Sequence, residues 1–218
     1  MKELSISNQY FIYSIEGKTF FNSSKLRAGL VVAGLLDLLD ADVIEMNKKK
    51  VEVKTELPES MGYLALIYDY IAQKPRKMDN IISAFCMAMT DKKIKALINS
   101  VGGSLVELDQ ASTGQQGLFK KDVYIPDQRY KDSLVEVLRN NMLGEGEIGE
   151  KDIALVGLLD SVGILKQYFD RDEAKMLKKK LKEIKADPKN KRIKKMVDYT
   201  DAVTAACIAC VVVSVSSN

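Results

Sequence analysis

The sequence predicts a mainly α-helical fold: a single helical-bundle domain, residues 1–218, decorated with short β-hairpins. Three observations carry this. Long stretches repeat apolar residues at helical spacing behind capping residues. The alternating, strand-like stretches are short and come in hairpin pairs, without the strand-helix alternation of a doubly wound sheet. With 46% apolar residues over 218 positions, the chain can also bury a sizeable core.

In chain order, "QYFIYSIEGKTF" (residues 9–20) reads as a strand turning at Gly17. In "SSKLRAGLVVAGLLDLL", Ser23 or Ser24 can cap a helix that is apolar almost all round from Leu26 to Leu39, the mark of a buried central helix. "DVIEMNKKKVEVK" alternates on both sides of a lysine-rich turn and predicts a hairpin. In "LPESMGYLALIYDYIAQ", Pro58 suits a first helical position, and Met61, Leu64, Tyr68 and Ile71 share a face. After the linker "KPRK", Asp79 can cap a helix through "IISAFCMAM". Thr90 or Asp91 can cap the next, "KKIKALINSV", which is expected to stop at Gly102 and Gly103. "LVELDQASTGQQGLFKKDVYI" predicts a second hairpin over 105–125, and Tyr130, Leu134, Val137 and Leu138 form a further helical stripe. A helix from about Asp152 to Leu165 follows. Asp170 and Glu173 have the spacing of a capping box for a basic helix, and a last helix is interrupted near "DPKN".

Composition removes several function classes. There is no histidine, which excludes Ser-His-Asp and Cys-His nucleophilic machinery and every His-ligated metal site. Cys86, Cys207 and Cys210 lie in apolar surroundings and read as reduced, packed thiols of an intracellular protein, the C-x-x-C spacing of the last two included. The N-terminus lacks a signal-peptide pattern, and the longest apolar run, Ala202 to Val215, is shorter than the ~20 residues of a membrane-spanning helix. A soluble chain is expected. The pairs Asp40 and Asp42, and Asp170 and Asp172, sit at element boundaries and read as caps.

"GEGEIG" (residues 144–149) matches the spacing of a pyrophosphate-cradling loop. The stretch before it is helical where a strand is needed, and Glu145, Glu147 and Glu150 place carboxylates where the pyrophosphate would sit. It reads as an interhelical joint. No catalytic residue, metal site or cofactor is expected, and the chain is expected not to be an enzyme.

Charge is more informative. The net +3 conceals a basic stretch, Arg171 to Lys195, with twelve Lys or Arg against four Asp or Glu, leaving the remainder of the chain at −5. Such segregation points to an anionic partner. Arg27 stands in the first turn of the buried helix, where the macrodipole disfavours a cation unless something anionic offsets it. Ser23, Ser24 and Arg27 together suggest a phosphate pocket, against the alternative of an arginine paired with a carboxylate. Lys92 and Lys93 repeat the arrangement at another helix start. The chain lacks an aromatic single-strand platform and a recognition helix with its turn, which ranks nucleic acid below anionic lipid.

The succession "SSKLRAGLVVAGLLDLLDADVIEM", "KKIKALINSVGGSLVE" and "DIALVGLLDSVGILKQYF", with a basic helix after it, resembles the Golgi phosphoprotein 3 family over nearly the whole chain. The short N-terminus and compact hairpins are closer to its bacterial members. The resemblance implies a non-enzymatic, cytoplasmic peripheral membrane protein that binds phosphatidylinositol 4-phosphate or another anionic phospholipid on the cytosolic face. It also implies possible partners in membrane-protein cytosolic tails and possible homo-oligomerisation, with hairpin 105–125 either self-associating or inserting in the membrane. The family's lipid-binding arginine matches Arg27. Its upstream tryptophan falls at Phe20 or Phe21, in a chain without tryptophan, and two later arginines fall near Lys92 and Lys93. The lipid-binding set is therefore Arg27, Phe21, Lys92 and Lys93. The alternative is a soluble interaction or regulatory module that meets nucleic acid or a partner protein through the basic helix.

Overall fold

Two apolar helices crossing near the centre organise the molecule, whose computed structural model describes residues 4–15, 23–47, 50–116, 121–146, 148–186, 193–194, 196–202 and 205. The second of them, α2 (Ser24–Asp40), is the helix expected from the sequence: every residue from Ala28 to Leu39 is buried. Ser23 is its cap, with Oγ accepting the Leu26 N–H at 3.2 Å. At roughly 1.5–3 kcal/mol for each large aliphatic side chain, a helix buried all round needs little help from intrinsic propensity.

The first, α1 (Ile6–Tyr13), overturns the expectation of a strand over residues 9–13, while the expected turn at Gly17 and residues 16–20 lie outside the described residues. Tyr10, Phe11, Ile12 and Tyr13 favour strands in isolation, but tertiary contacts hold both ends of this segment as a helix. Ser5 caps the start by accepting from the Asn8 N–H, while the buried Asp37 carboxylate of α2 accepts the Ile6 and Ser7 N–H groups at 2.7 and 2.9 Å, together with the Ser7 hydroxyl. At the far end, Lys131 Nζ donates to the Ile15 carbonyl and the Tyr168 hydroxyl to that of Tyr13. Burial pushes the Asp37 carboxyl up to about 6, opposed by the hydrogen bonds from Ser7 and Ile6.

Around this pair, β1 (Ile44–Asn47) and β2 (Lys50–Val53) form the first expected hairpin, with Ile44 opposite Val53. The "KPRK" stretch is not a plain linker: Arg76–Lys77 forms β3, antiparallel to β2, with Val51 opposite Arg76. A 3-10 turn over Glu59–Leu64 leads into α3 (Ala65–Ala72), followed after β3 by α4 (Met78–Cys86), with Asp79 in its first turn rather than capping it. Next, α5 (Lys92–Glu107) runs straight through Gly102 and Gly103 instead of stopping there. The reason at Gly102 is a close approach: a Cβ there would lie 2.6 Å from the Tyr124 ring. Tyr124 belongs to the second hairpin, which starts at Ala111 and not at 105 because α5 continues to Glu107: β4 (Ala111–Gln116) pairs with β5 (Lys121–Pro126), and the Tyr124 hydroxyl donates to the Asn99 carbonyl at 3.1 Å.

The remaining helices match their sequence signals closely. Asp127 caps α6 (Gln128–Leu143), whose buried face carries Leu134, Leu138 and Met142 together with Lys131, whereas Val137 is exposed. "GEGEIG" is the joint to α7 (Glu150–Val162): Gly144 is the C-cap of α6 and Gly149 the N-cap of α7. α7 ends at Gly163, whose φ of +86° suits glycine. The capping box at the start of α8 (Arg171–Ala186) is complete. Asp170 Oδ1 accepts from the Asp172 and Glu173 N–H groups, and Glu173 Oε2 accepts from the Asp170 N–H. Cys207, Cys210 and the "DPKN" interruption lie outside the described residues.

Candidate anion-binding surface

The start of α2 is built by α1. Tyr10 lies across it, its hydroxyl donating to the Leu26 carbonyl at 3.1 Å. That contact requires glycine at 29, where a Cβ would stand 2.0 Å from the Tyr10 hydroxyl oxygen and 2.5 Å from its ring carbon. The "LRAG" stretch therefore couples Gly29, which admits Tyr10, to Arg27, which that contact places at the rim.

Arg27 reaches outward to Asp91, Nη1 to Oδ1 3.2 Å, with both side chains partly exposed, which is the arginine–carboxylate pairing weighed against the phosphate pocket. Asp91 is the N-cap residue of α5, yet its side chain makes no cap hydrogen bond. The carboxylate expected to cap α5 is instead turned onto the arginine of α2. This ion pair joins the start of α2 to that of α5, the helix that begins with Lys92 and Lys93. At such exposure the pair itself stabilises the fold by about 0.2–1 kcal/mol, so its consequence is mainly geometric. Ser23 Oγ accepts the Leu26 N–H as the cap of α2, which leaves its own O–H as a donor at the same helix start.

A third element contributes cations that the sequence did not single out. Lys93 Nζ lies 4.5 Å from the Tyr70 ring centroid and 5.9 Å from that of Phe85. Arg76 Cζ lies 3.8 Å from the Tyr70 centroid, and Arg76 is fixed there by donating Nε to the Tyr70 carbonyl and Nη2 to Gln73 Oε1, each at 2.9 Å. Tyr70 meets Phe85 edge to face, with centroids 5.9 Å apart. Cation–π contacts of this kind contribute about 0.5–1 kcal/mol each, and here they hold two flexible cations at set positions. The sequence signal for this platform is the cationic "KPRK"; its partner Tyr70 is not among the face residues Met61, Leu64, Tyr68 and Ile71 that the periodicity singles out. Phe20 and Phe21 lie outside the described residues.

Elsewhere, the basic helix α8 differs in kind. Lys175 pairs with Asp172 at 3.1 Å, Lys178 with Asp160 at 2.6 Å, Lys179 with Glu183 at 3.7 Å, and Lys185 with Asp201. An open groove of about 1080 Å³ beside α1, α5 and the 3-10 turn is lined by Asp37, Asp40, Glu59 and Glu107 against Lys151, a charge pattern that repels phosphate. The Tyr63 hydroxyl at this groove is pushed up to about 12 by burial and by the Asp37 carboxylate. Among the described residues, no group of three or more acidic or thiol side chains is placed to hold a metal ion.

A family model described as Golgi phosphoprotein 3 (GPP34) matches residues 14–200. The chain belongs to the Golgi phosphoprotein 3 family. No curated protein matches it. The span of this Golgi phosphoprotein 3 domain includes Arg27, Asp91, Lys92, Lys93, Tyr70 and Arg76, and also Phe20 and Phe21. None of its helices, among the described residues, is long and apolar enough to cross a membrane.

Proposed function

We propose that this Golgi phosphoprotein 3 domain is a non-enzymatic peripheral membrane protein. It binds the phosphorylated head group of an anionic phospholipid, with phosphatidylinositol 4-phosphate as the family's ligand, at the corner formed by Arg27, Lys92 and Lys93. The observation that carries this reading is the Arg27–Asp91 pair, which joins the two helix starts that the resemblance assigns to lipid binding. A head-group phosphate competes with Asp91 for the planar guanidinium fork, to which it can bind bidentately, and Lys92 and Lys93 add charge. The first N–H groups of α5, which no side chain caps, face the same end of the helix and favour an anion there. The cytosolic face, binding of membrane-protein tails and self-association belong to the same reading through the family.

The absence of enzymatic activity is part of the proposal. The groove beside α1 and α5 carries carboxylates, but both oxygens of Asp37 are engaged by the Ile6 and Ser7 donors, which suits a helix cap better than an acid-base catalyst. In the alternative through the basic helix the lysines are paired with carboxylates just as Arg27 is with Asp91, and the family resemblance is what favours the corner.

Flotation with neutral, phosphatidylserine-containing and phosphatidylinositol 4-phosphate-containing vesicles at two salt concentrations tests the reading. Recovery on the phosphoinositide vesicles, weakened about tenfold by Arg27→Ala, is expected, because a charge-assisted hydrogen bond contributes about 1.5–3 kcal/mol. Failure to float on any of the three would sink it.

A further inference from the structure

The turn between α4 and α5, Met87 to Thr90, places apolar side chains in water directly beside the cationic corner. Met89 is as exposed as a free residue, at 105%, and Met87 is 40% exposed. Met89 lies two residues before Asp91, whose carboxylate holds Arg27, and three before Lys92. At no more than ~3.6 Å per residue, its backbone stands within about 11 Å of that of Lys92. Exposed single apolar residues are commonplace. Two methionines in one turn, flanked by Arg27, Lys92 and Lys93, are a different arrangement.

We propose that this turn is a membrane wedge: when the cationic corner engages head-group phosphates, Met89, followed by Met87, enters the interfacial layer of the bilayer beneath them. The inference rests on the lipid-binding reading above and adds the element that penetrates. Charge decides for a lipid surface, since the cations beside the turn match anionic head groups. Size decides against a protein partner, because two side chains on one turn fall far short of the roughly 800 Å² per side of a stable protein interface. Unbranched thioether side chains adapt to the disordered boundary between head groups and acyl chains, where an interfacial element sinks by about 5–10 Å.

The chain has no tryptophan, so Met89→Trp introduces a single reporter in the turn. Met176→Trp supplies a second exposed reporter on α8, which packs on α6 and α7. Each full-length variant is mixed with vesicles of phosphatidylcholine alone, or with phosphatidylserine or phosphatidylinositol 4-phosphate added. Co-sedimentation is measured in parallel with tryptophan emission and its quenching by brominated acyl chains. The expected result is a blue shift and quenching of the indole at position 89 on the vesicles that sediment the protein, with the indole at position 176 unchanged. In addition, Met89→Asp should weaken sedimentation about tenfold, as the loss of one buried apolar side chain implies, with Met176→Asp neutral and the melting temperature unaltered. Equal sedimentation of the Met89→Asp protein and the unsubstituted protein, with no change in the emission of Met89→Trp on the vesicles that sediment it, overturns the wedge and leaves the lipid-binding reading standing. No sedimentation on any vesicle overturns both.

Discussion

Two basic regions of this molecule look alike in sequence and differ in space. The α8 helix belongs to the stretch that holds most of the chain's excess positive charge, yet four of its lysines are engaged by Asp160, Asp172, Glu183 and Asp201. The corner between α2 and α5 has fewer cations, but they arrive from separate elements, and the Asp91 carboxylate ties Arg27 to the start of α5. A count along the chain measures how much charge a segment carries. What an anion meets depends on how many carboxylates have reached the same place first.

The contrast between the regions can be broken at the scaffold of the corner. Gly29→Ala forces a methyl group into the Tyr10 ring that fixes the α2 start, and should cost about 2–4 kcal/mol in chemical denaturation, at the upper end of what overpacking does. Binding by the corner should fall with it, whereas a site on α8 would survive in the folded fraction. An unchanged denaturation midpoint would mean that the LRAG stretch has no such structural role.

A smaller lever is Asp37, which holds α1 in place from beneath. Its carboxyl is raised from an ordinary 3.8 to about 6, so between these values the folded state holds a proton that the unfolded state has released. The stability from this group is therefore fully present below about pH 4 and is lost as pH rises through about 6. Relative to Asp37→Asn, the protein should gain up to about 3 kcal/mol as pH falls from about 7 to about 4. Parallel stability curves for the two proteins across that range would contradict the raised carboxyl.

The gentlest test changes one charge in each region. Asp91→Asn keeps the size of the side chain and releases Arg27 from its carboxylate, and should tighten binding to phosphoinositide vesicles about two- to fivefold, the scale of one partly exposed ion pair. Asp160→Asn makes the same change beside Lys178 and should leave binding within experimental error. Equal effects from the two substitutions would erase the distinction between the regions.

Much of the architecture was legible because its signals are local. Ser23 before an apolar run, and Asp170 with Glu173 before α8, each act within three residues of themselves. The first helix was not legible: Ser5 caps it locally, but its strand-favouring aromatic run is held helical by Asp37, 30 positions away on α2, which accepts the Ile6 and Ser7 N–H groups. Gly102 read as a helix stop for the same reason, since the Tyr124 ring that demands a glycine there belongs to a later hairpin. The site divides along the same line. Arg27 stood out as a charge where the helix dipole disfavours one, and the lysines followed from capping signals. Asp91 was read as a cap, its local role, while its partner lies on another helix. Tyr70 and Arg76 were missed because "KPRK" reads as a linker, whereas it pairs with β2 as β3 and turns Arg76 back onto the Tyr70 ring and carbonyl.

The most direct measurement compares two variants on phosphatidylinositol 4-phosphate vesicles at low and high salt: Arg27→Ala, and a triple alanine replacement of Lys175, Lys178 and Lys179. The α2–α5 corner predicts about a tenfold loss for the single substitution and less than about a twofold loss for the triple one. Loss of binding in the triple variant with full retention in Arg27→Ala would place the anion site on the basic helix and contradict this account.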